Sequence, residues 1–200
     1  MRVPITALVA GAAGYVLGTI PSATIAARMA GSEVDVNATG SGNPGAFNSA
    51  ALLGRRWGIV VGAADIGKGW LAGVAGRRLG GDTGCYLAAT TAVAGHCYPL
   101  GRRGGKGAAT SFGACLSAFP IYAPADLAVG AATLALRRKA PAGSRAAPAA
   151  LTSTAVFVAV SAIWSWRRWP NPGGPPSGPG LLGYALASSA LTVPRWLQHS

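Results

Sequence analysis

Apolar residues occur along this chain in long continuous stretches. A helix that crosses the hydrocarbon core of a bilayer needs about 17 to 25 such residues. The pattern predicts seven spans, near residues 5–29, 57–79, 84–100, 107–119, 121–136, 150–166 and 181–197. The fourth and fifth are short and meet at Phe119-Pro120, so six spans with one re-entrant hairpin is the main alternative. Either count predicts one all-α polytopic membrane domain over residues 1–200.

Composition supports a membrane protein. Half of the residues are hydrophobic, the mean hydropathy is +0.37 and only 11% are charged. A soluble domain of this length normally has about 25% charged residues. The segment at 170–180 is rich in proline and glycine and is predicted to be an exposed connector on the outer side.

Cations predict the orientation. With the N-terminus outside, the cytoplasmic side carries 11 of them: Arg28, Arg55, Arg56, Arg102, Arg103, Lys106, Arg137, Arg138, Lys139, Arg145 and Arg195. The outer side carries five: Arg2, Arg77, Arg78, Arg167 and Arg168. The positive-inside rule therefore predicts a multi-pass protein of the inner (plasma) membrane, in contact with its lipids, with a cytoplasmic C-terminus. The net charge of +12 comes in pairs flanking apolar spans, which does not indicate a nucleic-acid partner.

Two glycine-rich loops are candidate anion sites, and this orientation places both in the cytoplasm. The first runs from residue 40 to 48 and holds Gly40, Ser41, Gly42, Asn43, Gly45 and Asn48. The second is Gly104-Gly105-Lys106-Gly107, directly after two arginines. Glycine lets successive backbone N–H groups converge on a phosphate, and the lysine adds a point charge. Two such loops predict two phosphorylated ligands.

One ionisable pair lies inside a predicted span. Asp65 and Lys68 are three residues apart and therefore share a helix face. They form either a structural ion pair or one wall of a polar cleft beneath the first loop, and the spacing alone does not choose between the two.

No metal or cofactor is predicted. Cys85, Cys97 and Cys115 are too widely spaced for a metal or redox motif and are expected to be buried free thiols. Leu100 and Gly107 stand where a nucleotide-binding P-loop requires glycine and Ser or Thr. ATP binding is therefore not expected.

The motifs resemble those of the bacterial acyl-phosphate:glycerol-3-phosphate acyltransferases, the PlsY family. Residues 40–48 match the family's Gly-Ser-Gly-Asn-x-Gly-Ala-x-Asn motif, and residues 18–22 are similar to its Gly-Ser-Ile-Pro start. Asp65 with Lys68-Gly69 resembles Asp-x-x-Lys-Gly, residues 95–99 resemble Gly-His-x-Tyr-Pro, and residues 104–107 resemble Gly-Gly-Lys-Gly. The similarity covers residues 14–118 well and the remainder through hydrophobic layout.

The resemblance implies seven spans and a cytosolic active site. It also implies transfer of a fatty acyl group from acyl phosphate to the 1-hydroxyl of glycerol 3-phosphate, which gives lysophosphatidic acid and phosphate. The donor is already activated, so alignment of the reactants and oxyanion stabilisation suffice without a strong base. Carried over to this chain, the catalytic residues are Ser41, His96 and Lys106. The substrate-binding residues are Gly40, Gly42, Asn43, Gly45, Asn48, Asp65, Lys68, Gly104, Gly105 and Gly107.

Two positions depart from the family pattern. Ala51 stands where the family has an arginine that would bind phosphate, and Arg55 is the candidate replacement one helical turn later. After the last span the family has a His-Arg-x-Asn-Ile motif. This chain has an arginine and a histidine there, Arg195 and His199, but their spacing does not match the motif. These departures predict altered handling of glycerol 3-phosphate, and they leave a non-catalytic or accessory paralogue that retains anion binding as the alternative. A transporter is disfavoured because the polar loops lie on one side of the membrane.

Overall fold

The computed structural model describes residues 3–136 and 146–198, and this part of the chain is helical without any strand. The helices are α1 Ile5–Gly18, α2 Ser22–Met29, α3 Ala46–Leu53, α4 Arg55–Cys97, α5 Ala108–Ala118, α6 Ala123–Leu136, α7 Ala146–Arg167 and α8 Pro179–Leu197, with a 3-10 turn at Pro120–Tyr122 between α5 and α6. The all-α prediction is confirmed. The predicted roles of Arg2, Arg137, Arg138, Lys139, Arg145 and His199 fall outside the described residues.

The first predicted span is broken rather than continuous. It forms α1 and α2, with the break at Thr19 to Pro21. Proline lacks the N–H that a continuing helix needs and disfavours the helical conformation in the residue before it. The break leaves the Ile20 carbonyl outside the helical ladder, where it accepts a hydrogen bond of 3.1 Å from Lys68 Nζ. The break at Pro21 thus leaves the Ile20 carbonyl available to bind a buried lysine side chain.

The second and third predicted spans are the two arms of α4. The helix direction changes at Gly80 and Gly81. Gly81 has φ +63°, a backbone conformation that residues other than glycine rarely adopt. The arms, 55–79 and 82–97, pack so closely that a Cβ on Gly76 would strike the Gly84 carbonyl. The second arm ends at Cys97, three residues before the predicted boundary.

Glycine also allows the neighbouring helices to approach α4. A Cβ on Gly18 of α1 would strike the Ala92 carbonyl on the second arm. On the first arm, a Cβ on Gly69 would strike the Thr110 carbonyl of α5. Small residues allow this backbone contact, which is typical of helix packing in membranes. The result is a tight unit of α1, both arms of α4, and α5, which holds the candidate site.

Three helical stretches among the described residues are long and apolar enough to cross a membrane: Ile5–Met29, Arg55–Cys97 and Ala147–Arg167. By contrast, α5 has 11 residues, a length of about 16 Å against a hydrocarbon core of about 30 Å. The turn predicted at Phe119-Pro120 does separate α5 from α6. The count of seven spans stays a prediction.

The proline-rich segment at 170–180 is packed against the helices rather than exposed throughout, which corrects the prediction. Asn171 is 8% exposed, and its Nδ2 donates to the carbonyls of Ala118 at 3.0 Å and Pro175 at 2.8 Å. The Gly173 carbonyl accepts a hydrogen bond of 3.2 Å from Arg77 Nη1. One side-chain donor within the segment, Asn171, and one on α4, Arg77, thus hold this backbone against the helices.

Candidate functional site

A polar cleft lies where the α1–α2 break meets both arms of α4 and the loop after α4. The space between its walls, including solvent at its open mouth, is about 300 Å³. Its polar and charged side chains are Thr19, Ser22, Thr24, Asn37, Asp65, Lys68, His96, Arg102 and Arg103. Its remaining lining includes Gly95, Gly104 and Gly105. Residues from five separate sequence regions therefore converge here.

The buried Asp65–Lys68 pair forms the floor of the cleft. Lys68 Nζ lies 2.8 Å from Asp65 Oδ1, and both side chains are almost fully buried. Ser22 Oγ donates to the same carboxylate oxygen at 2.8 Å. Both readings of the sequence therefore hold together, since the two residues are paired and also line the cleft. Buried charges need such partners, because removing either one leaves an uncompensated charge.

His96 joins this floor to the second glycine loop. Its Nδ1 lies 3.7 Å from Asp65 Oδ1, and its side chain is 8% exposed. Its backbone carbonyl accepts a hydrogen bond of 3.0 Å from the Gly105 N–H. A Cβ on Gly105 would strike the imidazole Nε2, so only glycine fits beside the ring. The ring is therefore fixed between the Asp65 carboxylate and the loop.

The first glycine-rich loop is held by Asn48, which lies in the first turn of α3 rather than in the loop. Asn48 Oδ1 accepts from the Ser41 N–H at 3.0 Å, and Nδ2 donates to the carbonyls of Val36 and Thr39 at 3.0 Å each. Gly40 and Gly42 have φ of +66° and +62°, which favours glycine at both positions. The side chain of Asn48 thus shapes the first loop.

Ser41 and Asn43 form a short turn in the same loop. The Asn43 N–H lies 3.4 Å from Ser41 Oγ, which accepts from it, and Ser41 is exposed. Asn43 Oδ1 is buried and has no hydrogen-bond partner among the described residues. A buried amide oxygen without a partner is costly, and a ligand or water that donates to it would satisfy it.

The two glycine-rich loops come together through an arginine. A Cβ on Gly42 would lie 3.1 Å from Arg103 Nη1, so the guanidinium of the second loop sits against the backbone of the first. Pro44 of the first loop also lines the cleft. Arg102 and Arg103 are exposed cations at its mouth. The two glycine-rich loops are therefore in contact beside the cleft.

Lys106 lies at the edge of this arrangement. Its Nζ is 4.6 Å from the centre of the Trp196 ring on α8, a distance at which a cation is attracted to the ring face. Burial, followed by the nearby charge of Arg195, lowers the pKa of Lys106. A bound anion would offset both effects.

The cleft brings together only some of the predicted site residues. Asp65, Lys68, His96, Gly104 and Gly105 line it. The other predicted residues are not part of its lining: Asn48 lies in α3, and the rest lie on the two loops, namely Gly40, Ser41, Gly42, Asn43, Gly45, Lys106 and Gly107.

Sequence reasoning left six polar or charged lining residues out of the predicted site: Thr19, Ser22, Thr24, Asn37, Arg102 and Arg103. Thr19 and Ser22 belong to the motif at residues 18–22, and the two arginines precede the second loop, so a signal existed for these four. Thr24 and Asn37 carry no distinguishing spacing.

The proposed replacement of the family arginine by Arg55 needs correction. Ala51 lies on α3, whereas Arg55 begins α4, and Gly54 between them has φ +94°. The two positions are therefore not one turn apart on a common helix. Neither residue lines the cleft, and both are exposed. Arg103, which does line it, is the arginine next to the first loop.

The described residues contain no group of three or more His, Cys, Asp or Glu side chains placed to hold a metal ion. The three cysteines are free and buried, as predicted.

Comparison with known proteins identifies the family. The model of the family "Glycerol-3-phosphate acyltransferase" matches residues 8–192. The chain belongs to this family. A glycerol-3-phosphate acyltransferase of Thermoanaerobacter pseudethanolicus is 34% identical over 166 residues, which are 82% of this chain and 78% of the relative. One of Geobacter sulfurreducens is 38% identical over 147 residues, 72% of this chain and 75% of the relative.

Solved structures agree with the sequence relatives. A crystal structure of PlsY, an integral membrane glycerol 3-phosphate acyltransferase, in its glycerol 3-phosphate form has a TM-score of 0.75 and 25% identity. The match covers 96% of this chain and 88% of that one. Its lysophosphatidic acid form has a TM-score of 0.73 at the same identity, with 94% and 87% covered. The helical fold of the described residues is thus shared with an integral membrane acyltransferase.

Proposed function

We propose that this protein transfers a fatty acyl group from acyl phosphate to the 1-hydroxyl of glycerol 3-phosphate, giving lysophosphatidic acid and phosphate for phospholipid synthesis. The observation that carries the proposal is the polar cleft at the meeting point of two glycine-rich loops, within a bundle of apolar helices. Family membership supports it, as do the neighbours in glycerol 3-phosphate and lysophosphatidic acid forms. The substrates supply the energy, so the proposal includes no cofactor or metal.

The distribution of charged side chains around the cleft indicates where the phosphates bind. Lys68 is neutralised by Asp65 at 2.8 Å, so the floor of the cleft contributes little net charge. The positive potential comes from Arg102, Arg103 and Lys106 around the mouth. The phosphates of donor and acceptor therefore bind on the loop side, while the acyl chain extends between apolar helices.

The predicted residues divide into two roles. Ser41, Gly42, Asn43 and Gly45 form the cradle for one phosphate. The side chains of Ser41 and Asn43 supply its donors, because the backbone N–H groups of all four residues are bonded within the chain. Lys106 with Gly104, Gly105 and Gly107 holds the other, and His96 orients the reacting groups between them. Gly40 and Asn48 shape the first loop, and the phosphate of the substrate accepts the hydroxyl proton.

The location of the protein follows from the cations. We propose seven spans, with the N-terminus outside and with the cleft and C-terminus at the cytoplasmic face of the inner (plasma) membrane. Phosphorylated metabolites are available on that side. The alternative with six spans and a re-entrant hairpin at Phe119-Pro120 keeps the cleft on the same face.

The assay combines purified protein with palmitoyl phosphate and glycerol 3-phosphate and measures both phosphate release and lysophosphatidic acid. We expect turnover by the native chain. In Lys106→Ala, turnover should fall by about 10²- to 10³-fold, the range typical for loss of one electrostatic stabiliser. Arg56→Ala is the matched control, because Arg56 is exposed, is not part of the cleft lining and lies 6.0 Å from the centre of the neighbouring Trp57 ring.

Three outcomes distinguish the proposed acyltransferase from the alternatives. Normal turnover in Lys106→Ala would refute the site assignment. Substrate binding without turnover by the native chain would favour the accessory paralogue, for which the departure at Ala51 is the supporting observation. Hydrolysis of acyl phosphate without transfer to glycerol 3-phosphate would refute the acceptor assignment.

A further inference from the structure

We infer that the last turn of α8 clamps the second glycine-rich loop, and that Arg195 is a positioning residue that fixes the backbone of this loop for phosphate binding. The inference rests on the proposed function, and it adds a residue and an element to that site. The contacts lie between residues about 90 positions apart in the sequence.

Arg195 is bonded to two successive carbonyls of the loop. Its Nε donates to the Gly105 carbonyl at 3.2 Å, and its Nη2 donates to the Gly104 carbonyl. A guanidinium presents its N–H groups as a rigid planar fork, so two such bonds fix direction as well as distance. These two nitrogens are thereby committed to the backbone rather than to a substrate.

The Gly104–Gly105 peptide is consequently held at both of its polar groups. Its carbonyl accepts from Arg195, and its N–H donates to the His96 carbonyl at 3.0 Å. The next peptide is planar and trans, so directing the Gly105 carbonyl at Arg195 turns the Lys106 N–H to the opposite side. The clamp therefore sets which way the donors of a phosphate-binding loop point.

Other contacts join the same two elements. Tyr98 Oη donates to the Leu191 carbonyl at 3.0 Å, and the Arg195 guanidinium lies 5.6 Å from the centre of the Tyr98 ring. Trp196 faces the Lys106 ammonium at 4.6 Å. A Cβ on Gly107 would lie 2.9 Å from Thr192 Cγ2, so the loop and α8 are in close contact. Arg195 is thus the centre of a continuous interface rather than an isolated contact.

The test compares three variants of the full-length purified protein: Arg195→Ala, Arg195→Lys and Arg167→Ala. Arg167 is the matched control, because it also lies in the last turn of its helix, 5.1 Å from a neighbouring indole. Two quantities are measured, the rate of trypsin cleavage at Arg102, Arg103 and Lys106, and the kcat and KM of both substrates.

In Arg195→Ala, we expect loop cleavage to rise and kcat/KM for glycerol 3-phosphate to fall, each by about 10-fold or more, the factor set by one charge-assisted hydrogen bond. Arg167→Ala should stay within about 2-fold of the native chain in both. Arg195→Lys keeps the charge but has a single donor nitrogen in place of Nε and Nη2, so it should lie between the two. Millimolar guanidinium should restore activity to Arg195→Ala, which would not occur if the residue only stabilised the fold.

The outcomes separate this inference from the proposed function. If the native chain does not turn over, the proposed function fails, and the trypsin rates still decide whether Arg195 holds the loop. If the native chain is active and Arg195→Ala behaves like Arg167→Ala in either measurement, the clamp is wrong. If Arg195→Ala does not fold, Arg195→Lys tests the inference instead. Native-like cleavage and kinetics in that variant would show that the two hydrogen bonds from the guanidinium are not needed.

Discussion

At the scale of single residues, the buried carboxylate of Asp65 shows how a charge inside the protein depends on its partners. Asp65 is 2% exposed, forms an ion pair with Lys68 Nζ at 2.8 Å and accepts a hydrogen bond of 2.8 Å from Ser22 Oγ, with His96 Nδ1 at 3.7 Å. Breaking a buried ion pair by removing one partner is costly because the other charge stays buried.

Asp65→Ala should therefore destabilise the protein by about 3 to 5 kcal/mol. The double variant Asp65→Ala/Lys68→Met should regain part of this loss, because it removes the orphaned ammonium as well. The measurement is thermal unfolding in detergent micelles. Asp82→Ala is the control, since it breaks the half-exposed Arg77–Asp82 pair, and such pairs contribute about 0 to 1 kcal/mol. Equal losses in Asp65→Ala and Asp82→Ala would contradict the argument.

Ala51 is one of the two positions at which the sequence departs from the family motif pattern. Ala51→Arg should lower the KM for glycerol 3-phosphate by about 10-fold or more and leave the KM for acyl phosphate unchanged, because a guanidinium adds a charge-assisted hydrogen bond to the acceptor phosphate. Phe47→Arg adds the same charge at a site on α3 that is 90% exposed, and serves as the control. A change in neither constant, or the same change in both variants, would refute an acceptor role for position 51.

At the scale of elements, glycine decides how closely the helices approach. Gly69 and Gly67 lie two residues apart on the first arm of α4, yet their surroundings differ. A Cβ on Gly69 would strike the Thr110 carbonyl of α5, whereas one on Gly67 would have nothing within 4 Å. The two positions form a matched pair within one helix.

Gly69→Ala should destabilise the protein by about 1 to 3 kcal/mol, because α5 must move away from α4. Gly67→Ala should leave the stability unchanged or raise it by about 0.4 to 1 kcal/mol, because alanine restricts the unfolded chain. Thermal unfolding of the two variants beside the native protein measures both effects. Similar midpoints for the two variants would show that the α4–α5 contact is not close-packed.

Elements also show where sequence reasoning succeeds. Long apolar stretches predict helices well, because a helix satisfies its own backbone hydrogen bonds, which lipid cannot do. The break at Pro21 and the helix α3 at 46–53 were not predicted. Both lie in motifs rich in glycine, proline and polar residues, where local preference is weak and tertiary contacts such as those of Asn48 decide the conformation.

At the scale of the whole molecule, the orientation in the membrane can be tested by labelling. Leu100 is 84% exposed at the loop after α4, and Pro172 is exposed at the opposite predicted face. The three native cysteines are at most 4% exposed, so they should react little with a maleimide.

In intact cells, a membrane-impermeant maleimide should label Pro172→Cys but not Leu100→Cys. Opening the cells should make Leu100→Cys reactive. The reason is the excess of cations on the side of Leu100, which the positive-inside rule assigns to the cytoplasm. Labelling of Leu100→Cys in intact cells would invert the orientation and place the cleft outside.

The sequence by itself determined what depends on neighbours in the chain. Apolar stretches determined the helices, glycine and proline marked the loops, and the three-residue spacing of Asp65 and Lys68 placed both on one helix face, where they pair at 2.8 Å. The tertiary structure alone decided which distant residues share a site. Ser22 reaches Asp65 across 43 positions and Arg195 reaches Gly104 across 91. Contacts of that separation depend on how helices pack, and the packing is set by shape at many glycines together rather than by any local pattern.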